Sequence, residues 1–584
     1  MPAMNGPSSP VLYPMDLPLK AGVARLTHGI SPAALALAFQ DWWVHIATSP
    51  GKQAELAASA QRKAAQWLLD VQACARGDGE ALASTLAADK RFARPEWCQP
   101  PFNMIAGAFL LAQQWWGEAT RGVPGVSAHH GQVASFMARQ ILDTASPSNF
   151  VPTNPELLDA TLAQAGANLR DGWANWARDA LLVAANRPPA GAERFRPGEA
   201  VALTPGKVVW RNRLAELIQY APSTAKVHRE PVLIVPSWIM KYYILDLSPH
   251  NSLVRWLVGQ GHTVFMVSWK NPLADDRDLG MDDYVDLGVL DTLAAVQRAQ
   301  PGRAVHLVGY CLGGTLAAIA AAHLAQRGRS PLKTLTLLAA QADFEEPGEL
   351  GLFIDESQVA FLEDSMAEQG FLDGRQMAGA FALINSKDLV WSKLVREYLL
   401  GNVTPLDDLH AWNADATRMP ARMHGEYLRR LYLNNDLAEG RYEVHGRPIA
   451  LEDLRLPIFA LGTERDHVSP WRSVYKIHLL ANGEITFALT TGGHNVGIVN
   501  PPRDEAQAAG ISHRIGVRRP GETHQDADSW AAAAERRAGS WWPSWQAWLA
   551  AHSGPLEAPL PIGGGGRQAL VALDDAPGRY VHES

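Results

Sequence analysis

Ala304-Val305-His306-Leu307-Val308-Gly309-Tyr310-Cys311-Leu312-Gly313-Gly314 decides how this chain folds. Val305 to Val308 is a short apolar run that predicts a strand, and the alanine-rich stretch from Thr315 to Ala325 predicts a helix. Between them the chain must turn sharply. Glycines on both sides of Cys311 supply the backbone freedom and the close approach of helix to strand that such a turn needs. The side chain at its apex projects into a cleft, and here it is a thiol. With 3 Cys and 49 Gly in 584 residues, Gly-x-Cys-x-Gly arises by chance about 0.02 times, so its setting between a strand and a helix carries weight. The competing reading is a buried structural cysteine in a glycine-rich turn.

Beyond this turn, 584 residues with 47% hydrophobic content are enough for a sizeable core and two or more domains. The net charge is −8 with 19% charged residues and no basic block, which argues against nucleic acid or an anionic membrane as the main partner. Cys74, Cys98 and Cys311 cannot all pair with one another, and no metal-ligand spacing appears. A reducing cytoplasm, a free reactive thiol, no metal and no cofactor are expected. Met1 to Pro18 lacks a basic region followed by an apolar one, so no secretory leader is expected, nor is a membrane span. The 20 Trp are expected mostly in the core.

Along the chain, residues 1–30 are rich in Pro and Gly and read as flexible. Residues 31–200 read as an all-α domain, with helical spacing from Pro32 to Cys74, over 102–121 and 130–143, and from Glu156. From about 201 to 584 the pattern changes. Buried strands at 231–235, 262–269, 304–308, 332–339 and 456–461 alternate with helices, which indicates a parallel, doubly wound α/β sheet. The interval of about 344–448 is too long for a loop and reads as a helical cap over the strand ends.

A nucleophilic thiol needs a base, and the base needs an orienting acid. In an α/β-hydrolase fold the order is nucleophile, acid, histidine. Ile458 to Leu461 runs into Gly462-Thr463-Glu464-Arg465-Asp466-His467, and Phe487 to Leu489 leads to Thr491-Gly492-Gly493-His494. Asp466 is thus the expected acid, with Glu464 as rival. His494 is the expected base, with His467, His306 and His323 as rivals; the last two read as core or surface histidines. Backbone amides of Leu312 and of the loop at Ser237-Trp238-Ile239 are the expected oxyanion donors.

These residues resemble the polyhydroxyalkanoate synthases, from about residue 30 onward. The resemblance rests on Asp89–Phe92, Ser146–Phe150, Lys241–Pro249, Gly261–Phe265, Val267–Pro272, Asp388–Trp391, Trp412-Asn413, the Cys311 turn, Gly493-His494, Asn500–Pro502, Gly539–Pro543 and Ala576–Val581. It implies a helical N-terminal domain joined to a capped α/β-hydrolase domain. It also implies polymerisation of (R)-3-hydroxyacyl-CoA with release of coenzyme A, most like the single-subunit, short-chain type (class I). By position it gives Cys311 as acyl carrier, His494 as base and Asp466 as acid, and Trp391, Asp246 and His467 as substrate-side residues. A homodimer, granule-associated protein partners and a place at the polyester granule surface in the cytoplasm follow from the same likeness. Ser237, Met240 and Asn495-Val496 depart from the usual family residues.

Overall fold

A computed structural model of the protein describes residues 16–584 apart from 28, 329, 385 and 505–509. The chain divides into two compact units: one takes residues up to Gly29 together with Gly191–Ala378 and Leu406–Ser584, the other Ile30–Ala190 with Gly379–Pro405.

The larger unit is built on one sheet. Its strands are β1 (Gly206–Arg211), β2 (Ala215–Tyr220), β3 (Val232–Val235), β4 (Val264–Trp269), β5 (Val305–Tyr310), β6 (Leu332–Leu338), β7 (Ile458–Thr463), β8 (Ile485–Thr490), β9 (Ser512–Arg518), β10 (Glu535–Ala538) and β11 (Asp574–Asp575). In space they run β10-β9-β8-β7-β6-β5-β3-β4-β2-β1-β11. The run from β8 to β4 is parallel, and both flanks are antiparallel. Strands β3, β4, β5, β7 and β8 are buried at every residue, because helices cover both faces. That is why they read in the sequence as unbroken apolar runs rather than as alternation. The edge strand β10 and its neighbour β9 carry Arg514, Arg518, Glu535, Arg536 and Arg537, and no strand is expected there from sequence.

The strand order positions the site. β4 lies on one side of β3 and β5 on the other, so the loops leaving the carboxyl ends of β3 and β5 diverge and open a crevice between them. The two stay close at the helix Leu312–Gln326. A Cβ on Gly313 would lie 2.2 Å from the Val235 carbonyl oxygen and 2.5 Å from that of Pro236.

Two sequence expectations need adjusting. Within the stretch 1–30 expected to be flexible, 1–15 lie outside the described residues, but Leu17–Leu26 is a helix. Its proline falls in the first turn, where no amide is missed, and Ala21 and Ala24 are buried. Lys20 and Arg25 pair with Asp364 and Glu368 of the helix Glu356–Gln369. The interval 344–448, expected as one cap, is divided between the units. Gly379–Pro405 groups with the N-terminal helices because side chains of the helix Ala167–Ala184 take its carbonyls: Asn168 Nδ2 donates to Leu399 O (2.8 Å) and Asn175 Nδ2 to Glu397 O (3.1 Å). Gly172 allows that approach, since a Cβ there would lie 2.0 Å from Tyr398 O.

Among tryptophans, Trp97, Trp238, Trp541, Trp542 and Trp545 are fully buried, whereas Trp43, Trp173 and Trp176 are exposed. Among the described residues no helix is long and apolar enough to cross a membrane.

Candidate active site

Cys311 sits at the end of β5 with φ 53° and ψ −127°, in the left-handed region that a side chain normally avoids. Such a conformation costs on the order of 1–3 kcal/mol and persists only where the surroundings enforce it. Here the Cys311 amide donates to Leu338 O of β6 (2.8 Å), and the glycines leave no room for alternatives. A Cβ on Gly309 would lie 2.3 Å from Gly314 Cα, and one on Gly314 would lie 2.4 Å from Ala340 Cβ. The thiol borders the core packing on both faces of the sheet.

Asp466 follows β7 and His494 follows β8, so neighbouring parallel strands deliver both side chains to the same sheet end as Cys311. His494 Nδ1–H donates to Asp466 Oδ2 at 2.8 Å, and the Cys311 side chain lies close enough to the imidazole to help raise its pKa. The Asp466 side chain is fully buried. Its Oδ1 accepts from the amides of Val468 (2.9 Å) and Ser469 (2.7 Å), and Oδ2 also accepts from Thr463 Oγ1 (3.2 Å). Burial alone pushes this carboxyl up, but the charge and hydrogen bond of His494, with the two amides, bring it below the usual carboxylate range. Burial pushes His494 down, yet the charges of Asp466 and Cys311 and the hydrogen bond to Asp466 raise it well above an ordinary histidine. Both shifts describe an imidazole whose protonated form the buried Asp466 carboxylate favours.

The other candidates separate cleanly. Glu464 and His467 are exposed. His306 lies inside β5, bonded to Thr334 Oγ1 (2.7 Å) and Ser553 Oγ (3.0 Å), and burial pushes it down to about 3. His323 is buried on the helix after Cys311, and burial lowers it also. Asp246 is buried, but its partners are Thr204 Oγ1 (2.5 Å) and Ser252 Oγ (2.6 Å) rather than any member of the Cys311 group. Trp391 belongs to the other unit, in a π-helical turn over Lys387–Trp391. Among the described residues, neither Asp246 nor His467 makes a hydrogen bond to Cys311, Asp466 or His494.

At the expected oxyanion position, the amides of Leu312 and Trp238 have no hydrogen-bond partner among the described residues. Leu312 opens a 15-residue helix, whose first amides and dipole favour negative charge. The Ile239 amide is directed to Ser237 Oγ at 3.4 Å, which leaves Trp238 as the better donor from that loop.

Three residues here escape sequence reasoning. Tyr427 and Tyr432 lie near the thiol, with Tyr427 Oη donating to Tyr432 Oη at 3.0 Å. Nothing in the local spacing of an inserted segment reveals which of its tyrosines faces a strand end. Tyr310 Oη donates to Asn495 Oδ1 (2.7 Å), its ring 5.7 Å from that of His494. The signal there was the asparagine, one of the departures from the family pattern. A cavity bordered by Glu363, Arg422, Glu426 and Arg429 contains no member of the Cys311 group, and Arg422 and Arg429 are paired with carboxylates.

A poly(3-hydroxyalkanoate) polymerase of Methylorubrum extorquens is 41% identical over 496 residues, covering 84% of this chain and 80% of its own. The chain belongs to the poly(3-hydroxyalkanoate) polymerase family. Within that family, the polymerase subunit of Rhizobium meliloti is 38% identical (88% of this chain, 83% of its own) and that of Cupriavidus necator 36% identical (87% and 85%). Family profiles described as poly-beta-hydroxybutyrate polymerase N terminal, poly-beta-hydroxybutyrate polymerase (PhaC) N-terminus and alpha/beta hydrolase fold match residues 11–52, 88–257 and 230–501. Among solved structures, an esterase from Exiguobacterium antarcticum matches at 15% identity and a TM-score of 0.28, covering 50% of this chain and 92% of its own.

Proposed function

We propose that this chain is a polyhydroxyalkanoate synthase that polymerises (R)-3-hydroxyacyl-CoA, of short chain length such as 3-hydroxybutyryl-CoA, through an acyl group carried on Cys311. The observation that carries the proposal is Cys311 on a strained turn beside His494, which is hydrogen-bonded to the buried Asp466, in a chain 36–41% identical to named polymerases.

His494 takes the thiol proton, and the Cys311 thiolate attacks the thioester carbonyl. The oxyanion forms against the amides of Leu312 and Trp238. The carbon–sulfur bond to coenzyme A breaks, and the coenzyme A thiolate leaves with the proton from His494. Exchange between similar sulfurs is nearly balanced, so the acyl group stays activated on Cys311. The hydroxyl of a second hydroxyacyl unit then gives its proton to His494 and attacks the acyl-cysteine. The new ester forms as the bond to Cys311 breaks, and the thiolate returns. Asp466 holds the imidazole orientation and offsets its positive charge in both halves. Water must be kept from the acyl-cysteine, and the apolar packing of Trp238, Tyr427, Tyr432 and Phe344 serves that end. A homodimer of the single-subunit type, working at the surface of its polyester product, belongs to the same proposal and rests on family membership.

The test is incubation with (R)-3-hydroxybutyryl-CoA, following thiol release and separating insoluble polyester from soluble acid, with Cys311→Ala alongside. Thiol release with polyester, lost in the variant, is the expected result. Thiol release yielding only soluble hydroxyacid would make the protein a thioesterase instead.

A further inference from the structure

Two stretches that carry the family resemblance, Lys241–Pro249 and Ala576–Val581, have no part in the thiol chemistry. They meet at Lys241, which follows directly on the loop carrying the Trp238 amide. Lys241 is 3% exposed, and an ammonium that far from water needs its donors filled. Its Nζ donates to the carbonyl oxygens of Tyr580 (3.3 Å) and Glu583.

The segment that supplies those carbonyls is itself pinned at both ends. On β2 the fully buried carboxylate of Glu216 accepts from the amides of Arg579 and Tyr580, each at 3.0 Å. Gly578 makes that approach possible: its φ is +85°, and a Cβ there would lie 2.5 Å from Glu216 Oε2. Tyr580 Oη donates to Asn212 O at 2.6 Å. At the far end the Asn271 amide donates to Glu583 Oε2 (2.9 Å), while Arg418 donates its side chain to Ser584 O (3.2 Å) and its amide to Asn271 Oδ1 (2.9 Å).

The neighbour of Arg418 completes the arrangement. Thr417 donates its amide to Ile239 O (3.0 Å) and its hydroxyl to Trp238 O (2.5 Å), and Trp412 Nε1 donates to Lys241 O (2.7 Å). The peptide planes that follow the Trp238 amide are thus held through their carbonyls, and the loop's end is held through the Lys241 ammonium. Because a peptide plane joins the C=O of one residue to the N–H of the next, these carbonyls fix the planes of the Ile239, Met240 and Tyr242 amides, and the first of them anchors the Trp238 Cα from which the Trp238 amide projects.

We propose that residues 578–584 form a clasp that holds the oxyanion loop in register with Cys311, with Lys241 and Glu583 as its positioning residues. The proposal rests on the acyl-transfer reading of Cys311. The test compares Lys241→Met, Glu583→Ala and Glu583→Gln in the full chain, measuring kcat and KM for coenzyme A release from (R)-3-hydroxybutyryl-CoA and the rate of Cys311 alkylation by iodoacetamide. Loosening one oxyanion donor lowers kcat about tenfold with KM within about twofold. Alkylation depends on His494 and Asp466 and stays at the wild-type rate. Glu583→Gln, which keeps an acceptor for the Asn271 amide, recovers most of the loss. Turnover within about twofold of wild type in the soluble Ala and Met variants, a loss confined to KM, or alkylation falling in step with turnover would each overturn the clasp. If Lys241→Met does not fold, the Glu583 pair decides alone. Failure of the unaltered protein to turn over would instead count against the acyl-transfer reading.

Discussion

His494 and His306 are carried by the same sheet and burial acts on both in the same direction, yet they end as opposite chemical groups. His306 has two hydroxyl partners and is pushed down to about 3, so it is neutral at any physiological pH. His494 has a carboxylate on one side and a thiol on the other and is raised well above the usual range. The aspartates repeat the contrast. Asp246, with hydroxyl partners, is raised by burial, whereas Asp466, facing His494 and two amides, is lowered. Burial is common to all four groups; the sign of the neighbouring charge decides which become an acid–base pair and which remain part of the frame.

Removing the nucleophile should have the largest effect. Cys311→Ala is expected to lower coenzyme A release by at least about 10³-fold, leaving only what binding and the oxyanion donors provide. Next is Asp466→Asn, which preserves shape but removes the charge that sets His494 apart from His306. A loss in kcat of about 10²–10³-fold is expected, against a change of no more than about threefold for Asp246→Asn. Equal losses in the two variants would break the comparison.

Stability against pH gives a third test. A histidine lowered from about 6.5 unfolded to about 3 folded is protonated first in the unfolded chain. It therefore contributes stability above pH 6.5 that is lost as pH falls, amounting to about 2 kcal/mol by pH 5. His494 works the other way: its contribution is complete below about 6.5 and fades as pH rises through its raised folded value. Urea unfolding between pH 7 and 5 should show a shallower loss for His306→Gln than for the wild type. An identical slope would mean that His306 is not held neutral.

The smallest effect is expected at Tyr310. Tyr310→Phe leaves Asn495 Oδ1 without its donor beside His494 and should cost about 1 kcal/mol of transition-state stabilisation. Tyr310→Phe with Asn495→Ile replaces the hydrogen bond by an apolar pair and should recover part of that loss. Strictly additive single-variant losses would argue against the coupling.

The parallel strands, the turn at Cys311 and the order Cys311, Asp466, His494 were legible because burial on both faces leaves unbroken apolar runs and the turn demands glycine at fixed places. Asp466 and His494 follow strand ends, where sequence order translates directly into position. What stayed hidden depends on contacts between distant segments. β9 and β10 look like polar loop because β10 is exposed at every residue and β9 buries only its first two. The helix at Leu17–Leu26 owes its place to Asp364 and Glu368, and Gly379–Pro405 owes its unit to Asn168 and Asn175. Tyr427, Tyr432 and the clasp at Lys241 are likewise products of chain return, invisible to any local period.

The central claim is that Cys311 carries the acyl group, and the direct measurement is mass spectrometry of protein quenched in acid within a turnover of (R)-3-hydroxybutyryl-CoA. A hydroxyacyl adduct on the peptide containing Cys311, absent in Cys311→Ala, is the predicted result. Coenzyme A release without such an adduct, or with the adduct on another residue, would contradict it.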